Sequence, residues 1–511
     1  MTKRSSMATG LERRSRAKVG LSAATAFAVL AGCTQGPDFV RPTPPTASSY
    51  ARSPVPAQTV SADTYAGAAQ RFAEGGDLPG EWWTLFHSEA LNRIIAKAIK
   101  ANPDLQSAQA ALHVARENVL AQRGVFYPSV DAGFSPSHQK VASSLASPLN
   151  SNADTFDLFS GQISVSYTPD VFGLNHRTAE SLQAQADVQR FQVEATYLTL
   201  TSNLVAAAIQ EAALRDQIAA NEQIATLERQ AVDLVRRQRA IGQAAQSDIT
   251  AQEAALAQTE AALPPLKKQL AQQRDLLTAL MGSLPSEEPD ETFALAALHL
   301  PEELPVSLPS QLVEQRPDIR AAEASLHAAS AQIGVAMANR LPNITLTGAL
   351  GGAGTTIANM FSGGNIGWDI AGDIAAPIFH GNTLLHQERA ARAAYDQASA
   401  QYRSVVVSSF QNVADTLHAL AFDADSLKGA AHAEQVAATN LEIVRGRAQI
   451  GAANTLALLN AEQSYQQALI NLAQARASRY ADTVALFQAL GGGWWNRPDD
   501  TAPQKDAAAI P

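Results

Sequence analysis

The sequence predicts a mainly helical protein with a small membrane β component, written as two copies of one unit. Three observations lead there: a short apolar leader that ends at a lone cysteine, a two-fold internal repeat, and, in each repeat, alternating segments followed by very long helical stretches. The 511 residues are 46% hydrophobic but only 6% aromatic and 17% charged. Heavy use of Ala, Gln, Leu and Glu with few aromatics disfavours a compact enzyme core and favours long helices. The length suits several domains or one elongated body. Average glycine and proline usage excludes collagen-like and wholly disordered chains. One cysteine excludes an internal disulfide framework and a cysteine-based zinc site. A net charge of −10 offers no basic footprint for nucleic acid. No run of about 18 apolar residues exists, so no spanning helix is predicted.

The N-terminus reads as an address. Lys3, Arg4, Arg13, Arg14, Arg16 and Lys18 precede an apolar stretch from Val19 to Ala31. A basic region and about 13 apolar residues fit a secretory signal and are too short to cross a bilayer. The stretch ends in Leu30, Ala31, Gly32 and Cys33. That quartet resembles a bacterial lipobox, in which the signal is cut before the cysteine and the thiol carries lipid. Losing residues 1–32 would take the net charge from −10 to about −15, because six basic side chains and Glu12 leave together. Thr34, rather than an aspartate, follows the cysteine, which in lipoproteins points to the outer membrane. Acyl chains contribute about 0.8 kcal/mol per buried methylene, so several of them anchor a chain without any span.

The body is duplicated. Residues 102–112, NPDLQSAQAAL, match 316–326, RPDIRAAEASL, and the same spacing carries His113 onto His327 and Tyr127-Pro128 onto Leu341-Pro342. Further on, Thr168-Pro169-Asp170-Val171-Phe172 answers Ala376-Pro377-Ile378-Phe379, and Arg239-Ala240-Ile241-Gly242 answers Ala448-Gln449-Ile450-Gly451. Thr278-Ala279-Leu280-Met281-Gly282 answers Gln488-Ala489-Leu490-Gly491-Gly492. Matching landmarks in one order define a duplication, unlike a solenoid of many short repeats. The reading divides the chain into a signal (1–32), a lipidated extended leader (33–80), a first repeat (81–282), a proline-rich linker (283–310), a second repeat (311–492) and a tail (493–511). Pro285, Pro289, Pro301, Pro305 and Pro309 make the linker extended.

Each repeat is expected to run helix, two strands, two long helices. Period-two alternation marks the strands. Ile163, Val165 and Tyr167 alternate with Gln162, Ser164, Ser166 and Thr168, while Ile366, Trp368 and Ile370 oppose Gly367 and Asp369. Their partners begin after a proline, from Pro128 to about Phe134 and from Pro342 to about Leu350, so the β-hairpins span about 128–170 and 342–376. The joining loops are Ser/Ala/Asn-rich (139–157) and Gly-rich (351–365). Strands of about 9–11 residues can cross a bilayer with one face to lipid and the other to a polar lumen. Four strands cannot close a barrel, whose minimum is about eight, and open edges do not survive in lipid. Either the strands do not span or several chains share one barrel.

The helical hairpins follow, at about 175–282 and 382–490. From Asn175 to Ala240 there is neither proline nor glycine, a stretch of roughly 100 Å as a helix. Phe191, Leu198, Val205, Ile209, Leu227 and Leu234 fall on one stripe, and Leu182, Val193, Leu200, Leu204, Leu214 and Ile218 on the opposite one. Two opposed stripes demand neighbours on both sides, as in the wall of a helical cylinder. The second copy repeats this from about Thr383 to Ile450. Ile241-Gly242 and Ile450-Gly451 suit helix ends that terminate in a left-handed glycine. Pro264-Pro265 is expected to kink or divide the first return helix. A band of shorter helices is expected partway along the rod, built partly from the linker and the C-terminal segment.

The lipobox followed by Gly36-Pro37-Asp38-Phe39-Val40-Arg41-Pro42, then Trp82-Trp83-Thr84-Leu85-Phe86, resembles the start of bacterial outer membrane efflux lipoproteins, relatives of the TolC channel. Arg316-Pro317-Asp318-Ile319, Leu341-Pro342 and Pro377-Ile378-Phe379 resemble the same family, and the likeness covers about residues 30–495. The resemblance implies a TolC-like homotrimer, with a twelve-stranded β-barrel of four strands per chain above a long periplasmic α-helical barrel. It implies passive conduction of small molecules in a tripartite pump of the RND type. The tips, with Gly242, Gly451, Ile241 and Ile450, would dock a periplasmic adaptor, and an inner-membrane transporter would complete the assembly. A type I protein-secretion duct and a periplasmic coiled-coil scaffold lipoprotein are the alternatives; the lipobox disfavours the first and the matched hairpins the second.

Family members often carry carboxylates just past the second tip glycine, where this chain has Ala457 and Asn460. An acidic gate at that place is therefore in doubt. Asp248 remains, with Arg236, Arg237, Arg239, Arg445 and Arg447 near the tips, and a charged latch from Asp248 to Arg239 or Arg447 competes with a solvated helix face. No enzyme, cofactor or metal is expected. The histidines lack HExxH spacing, and the glycine clusters Gly351-Gly352-Ala353-Gly354 and Gly491-Gly492-Gly493 lack the Lys-Ser/Thr of a phosphate loop.

Overall fold

The computed structural model describes residues 34–52, 56–142, 144–145 and 151–497. The signal, the lipobox residues Leu30, Ala31, Gly32 and Cys33, and the end of the tail lie outside the described residues. In chain order the elements are β1 (Arg71–Glu74), α1 (Glu89–Ala101), α2 (Pro103–Gly124), β2 (Ser129–Lys140), β3 (Thr155–Tyr167), α3 (Leu174–Ala240) and α4 (Gln246–Leu280). There follow β4 (Glu303–Val306), α5 (Pro309–Gln315), α6 (Pro317–Ala338), β5 (Asn343–Gly354), the single turn α7 (Ile357–Met360), β6 (Ile366–Ala375), α8 (Thr383–Gln449) and α9 (Thr455–Ala489).

The two 67-residue helices, α3 and α8, run the full length of the body, about 100 Å each. The shorter helices stack end to end beside them. Helix α2 and then α4 flank α3 on one side, while α6 and then α9 fill the space between α3 and α8. The repeat motifs make the joints between stacked helices. Asn102 caps α2 by accepting from the Asp104 and Leu105 N–H groups at 3.0 Å, while its Nδ2 donates to the Leu280 carbonyl at the end of α4. Its counterpart Arg316 donates from Nη1 to the Ala489 carbonyl at the end of α9, at 2.7 Å, and holds Asp318 with Nε and Nη2. Each side chain thus satisfies a terminal carbonyl that the end of a helix leaves unpaired.

The two apolar stripes of α3 are occupied as expected: Phe191, Val205 and Ile209 are buried on one side, and Val193, Leu200, Leu204 and Leu214 on the other. Helix α8 differs. It buries Val406, Val413, Leu417 and Leu427 against its own chain but leaves Val407, Phe422, Val436 and Ile443 exposed. Helix α3 has neighbours of its own chain on both sides while α8 lies at an edge, so equivalent positions meet unequal surroundings. Helix α4 runs undivided through Pro264 and Pro265, so the prolines do not split it into two helices. The two missing N–H donors free carbonyls near Glu260 and Ala261, both exposed, where water can satisfy them.

The mid-body band is present, with short helices such as α1 and α5 joined by a small two-stranded sheet. The leader contributes β1, which pairs in parallel with β4 from the linker, Arg71 opposite Glu303 and Glu74 opposite Val306. Sequence alternation is too short to reveal four-residue strands. Buried Arg479 on α9 ties this band down, donating to the Ala68 carbonyl at 2.6 Å and Thr59 Oγ1 at 3.0 Å. Buried Gln70 donates to the Pro301 carbonyl and to Thr483 Oγ1. Trp82, Phe86, Tyr480 and Phe487 form the aromatic core beneath it, and the Tyr480 hydroxyl donates to the Leu298 carbonyl at 2.6 Å. Trp494 Nε1 donates to the Gln315 carbonyl and Trp495 Nε1 to Asp77, so the start of the tail closes the same band.

Candidate functional site: the amphipathic sheet and the helical tips

Strands β2, β3, β5 and β6 form one antiparallel sheet in that order. They are longer than the alternation alone indicates, 12, 13, 12 and 10 residues, because Gly, Ser and Ala continue the strands where the apolar rhythm fades. Through the central rows of the sheet the register separates apolar from polar side chains. Ala132 lies opposite Ile163, Ile163 opposite Leu350, and Leu350 opposite Trp368. Val130, Phe134, Val165, Leu346, Ile370 and Ile374 share that face, and Ile370 is 81% exposed. The other face carries Asp131, Ser135, Gln162, Ser164, Thr345, Thr347, Asp369 and Asp373. A sheet apolar on one open face and polar on the other, with unpaired edges at β2 and β6, suits lipid on one side and water on the other. The Gly-rich connection after β5 folds as α7, which seats buried Met360 against Gly161 and leaves Ile357 and Phe361 exposed at the far rim.

The leader reaches the foot of this sheet. The Gln35 N–H donates to the Phe172 carbonyl at 3.2 Å, and Gly173 packs against Thr34. Arg177 binds Asp38 at 2.8 Å and the Gln35 carbonyl, while Phe39 stacks on the His327 ring. His327 also meets Glu180 at 2.9 Å, whereas its repeat partner His113 is exposed beside Glu117.

At the opposite end both helical hairpins turn in the same way. Gly242 and Gly451 adopt φ of +78° and +72°, a region that costs other residues about 1–2 kcal/mol. The Gln243 N–H returns to the Gln238 carbonyl at 2.8 Å, and the Ala452 N–H to the Arg447 carbonyl at 2.8 Å, closing the last turn. Ile241 and Ile450 project from the tips, Ile450 being 80% exposed. Asp248 serves its own helix: its Oδ2 accepts from the Ala245 N–H at 2.8 Å. Among the described residues Asp248 makes no ion pair with Arg239 or Arg447, which are both exposed. Ala457 donates its N–H to the capping Asn454, and Asn460 is exposed.

Helices α3 and α4 are stitched by ion pairs, Arg229–Glu260, Arg236–Glu253 and Lys267–Glu222. Among the described residues no ion pair joins the first helical hairpin to the second. Contacts between them are apolar, through Ile224, Leu441, Leu458 and Ala461, or hydrogen bonds: Gln238 to the Ala448 carbonyl, Arg445 to Gln230, Gln223 to Tyr465, Gln466 to Thr259 and Gln252 to Glu462. The sequence gives no signal for the Gln252–Glu462 contact, since it joins residues on separate repeats.

A sequence profile of the outer membrane efflux protein family matches residues 94–283 and 308–492. The chain is similar to the toluene efflux pump outer membrane protein TtgC of Pseudomonas putida, 29% identical over 480 residues that cover 93% of this chain and 95% of that protein. It is similar to the cation efflux system protein CusC of Escherichia coli, 28% identical over 91% of this chain and 96% of that one. Its fold matches the solved CmeC outer membrane channel of Campylobacter jejuni with a TM-score of 0.80, at 21% identity, covering 90% of this chain and 95% of that structure. The duplicated wall, the amphipathic sheet and the matched segments, which take in most of both repeats, agree: the chain belongs to the outer membrane efflux protein family.

Proposed function

We propose that three copies of this chain close into one duct, the outer-membrane component of a tripartite pump through which small molecules pass passively from periplasm to exterior. The observation that carries the reading is the four-stranded amphipathic sheet with two unpaired edges. Such edges are not tolerated in lipid, four strands lie below the barrel minimum, and three copies supply twelve. The helical edges agree. Val407, Phe422, Val436 and Ile443 on α8 face away from their own chain at one edge, and Val114, Leu120 and Leu276 at the other. Exposed apolar stripes of this extent ask for a neighbour.

The tips, with Gly242, Gly451, Ile241 and Ile450, are the surface offered to a periplasmic adaptor, which links the duct to an inner-membrane transporter of the RND type. A relative named for toluene and one named for cations are 29% and 28% identical to this chain, and we infer that the cargo is set elsewhere in the pump. Cys33 is the lipid anchor: Thr34, its successor, lies against Gly173 at the foot of the sheet, where acyl chains would enter the near leaflet. The test is the mass of the detergent-solubilised protein together with planar-bilayer recording. A trimer that conducts is expected, whereas a monomer that never conducts sinks the reading. Labelled fatty acid should be incorporated by the wild type and not by Cys33→Ser; label on the variant refutes the anchor.

A further inference from the structure

Buried carboxylates elsewhere in the body have a cation. Glu211 is held by Arg215 and Arg274, and Glu194 by Arg497. Among the described residues two other buried carboxylates, Glu228 and Glu462, have none. Glu228 on α3 is 1% exposed and Glu462 on α9 is 2% exposed, and both lie in the seam where α3, α4 and α9 meet above the tips. Glu462 accepts from Gln252 Nε2 of α4, and Glu228 interacts with Thr259 of the same helix. One oxygen of Glu228 and the amide oxygen of Gln252 have no donor at all. The layer therefore holds more acceptors than donors, and one proton on a carboxyl supplies what is missing.

We propose that Glu228 and Glu462 form a proton-held lock: the two helical hairpins pack together at the tips while this layer carries a proton, and they separate as the proton is lost. The lock rests on the reading of the tips as the closed end of the duct. Two unpaired negative charges cannot stay in an apolar seam, because burying an ion without a partner costs far more than one hydrogen bond returns. Separation of the hairpins admits water, which solvates both carboxylates.

The surrounding charges do not undo this. On α3, Arg229 is engaged with Glu260 of α4, and Glu260 adds repulsion toward Glu228. On α8, Arg445 acts on Glu462 only at a distance and donates to Gln230. On α9, Tyr465 accepts from Gln223. Burial, opposed by the Gln252 hydrogen bond and reinforced by Glu228, pushes the Glu462 carboxyl up to about 7. Burial likewise raises Glu228. A raised carboxyl favours the packed state fully below its ordinary pKa, near 4.5, and that advantage is lost as pH climbs to about 7. Over that window the open-to-closed ratio should rise by up to about tenfold per pH unit and then level off.

The experiment is hydrogen–deuterium exchange of the full-length detergent-solubilised protein, corrected for intrinsic exchange, reading peptides from 224–262 and 455–470 between pH 5 and 8. In the wild type, opening of these segments should increase at least tenfold from pH 5 to 7 and flatten above. Glu462→Gln should remain closed with less than a twofold change, and a wild-type-like slope in that variant overturns the proposal. Should Glu462→Gln fail to assemble, Glu228→Gln decides. Removing its charge should move the plateau to lower pH, and an unmoved plateau refutes the lock. Bilayer recording of the same samples separates the two readings: a protein that exchanges as expected but never conducts keeps the lock and loses the duct.

Discussion

Arg316 shows how much one side chain can hold at the scale of the residue. It closes the end of α9 through the Ala489 carbonyl while its other nitrogens fix Asp318 at the start of α6. Arg316→Met should strand both an acceptor and a carboxylate, costing about 1–3 kcal/mol in thermal or urea unfolding of the solubilised protein. Arg316→Lys should recover only part of that, because an ammonium cannot serve two partners with the planar fork of a guanidinium. Equal stability of all three proteins would show that the joint is held by packing alone. The motif itself was legible in the sequence as a repeated Asn/Arg-Pro-Asp, but its purpose was not. The partners, Leu280 and Ala489, lie 178 and 173 residues along the chain from their caps, and nothing local announces a carbonyl in need of a donor.

At the scale of the element, the sheet is where alternation carries most information. Ile163, Val165 and Tyr167, and Ile366, Trp368 and Ile370, were readable because one face must be apolar and the other polar over consecutive residues. The ends of the strands were hidden by glycine and serine, which obey no such contrast. Continuity of α4 was hidden too, since prolines at 264 and 265 matter less on a wet surface than within a core. The two faces of the sheet give a sharp test. Ile370→Arg places a charge on the lipid side and should cost about 2–4 kcal/mol near the bilayer midplane. Ser164→Arg, on the opposite face, should cost far less, since that face meets water. The readout is the resistance of the assembled barrel to heat in SDS. If both variants melt alike, the faces are assigned wrongly.

At the scale of the whole molecule, the duplication was the strongest sequence signal, and it fixes a repeated order of elements without saying that the copies do unequal work. The fold supplies that difference: α3 is enclosed by its own chain, whereas α8 leaves Val407, Phe422, Val436 and Ile443 exposed. The same assembly concentrates charge. Each chain places Asp131, Asp369 and Asp373 on the polar face of the sheet, and no lysine or arginine of β2, β3, β5 or β6 shares it. In the proposed trimer those carboxylates would make a negative ring around the lumen far from the tips, where Ala457 and Asn460 supply no charge. A channel lined this way should favour cations, because field lines focus within a low-dielectric wall. Under a potassium chloride gradient the reversal potential should take the sign of potassium preference. The preference should be strong near 0.1 M salt, where screening acts over about 10 Å, and weaker near 1 M, where it acts over about 3 Å. Replacing all three aspartates by asparagine should bring the potential toward zero while leaving the pore open. Unchanged selectivity in that triple variant would move the filter out of the sheet and back to the helices.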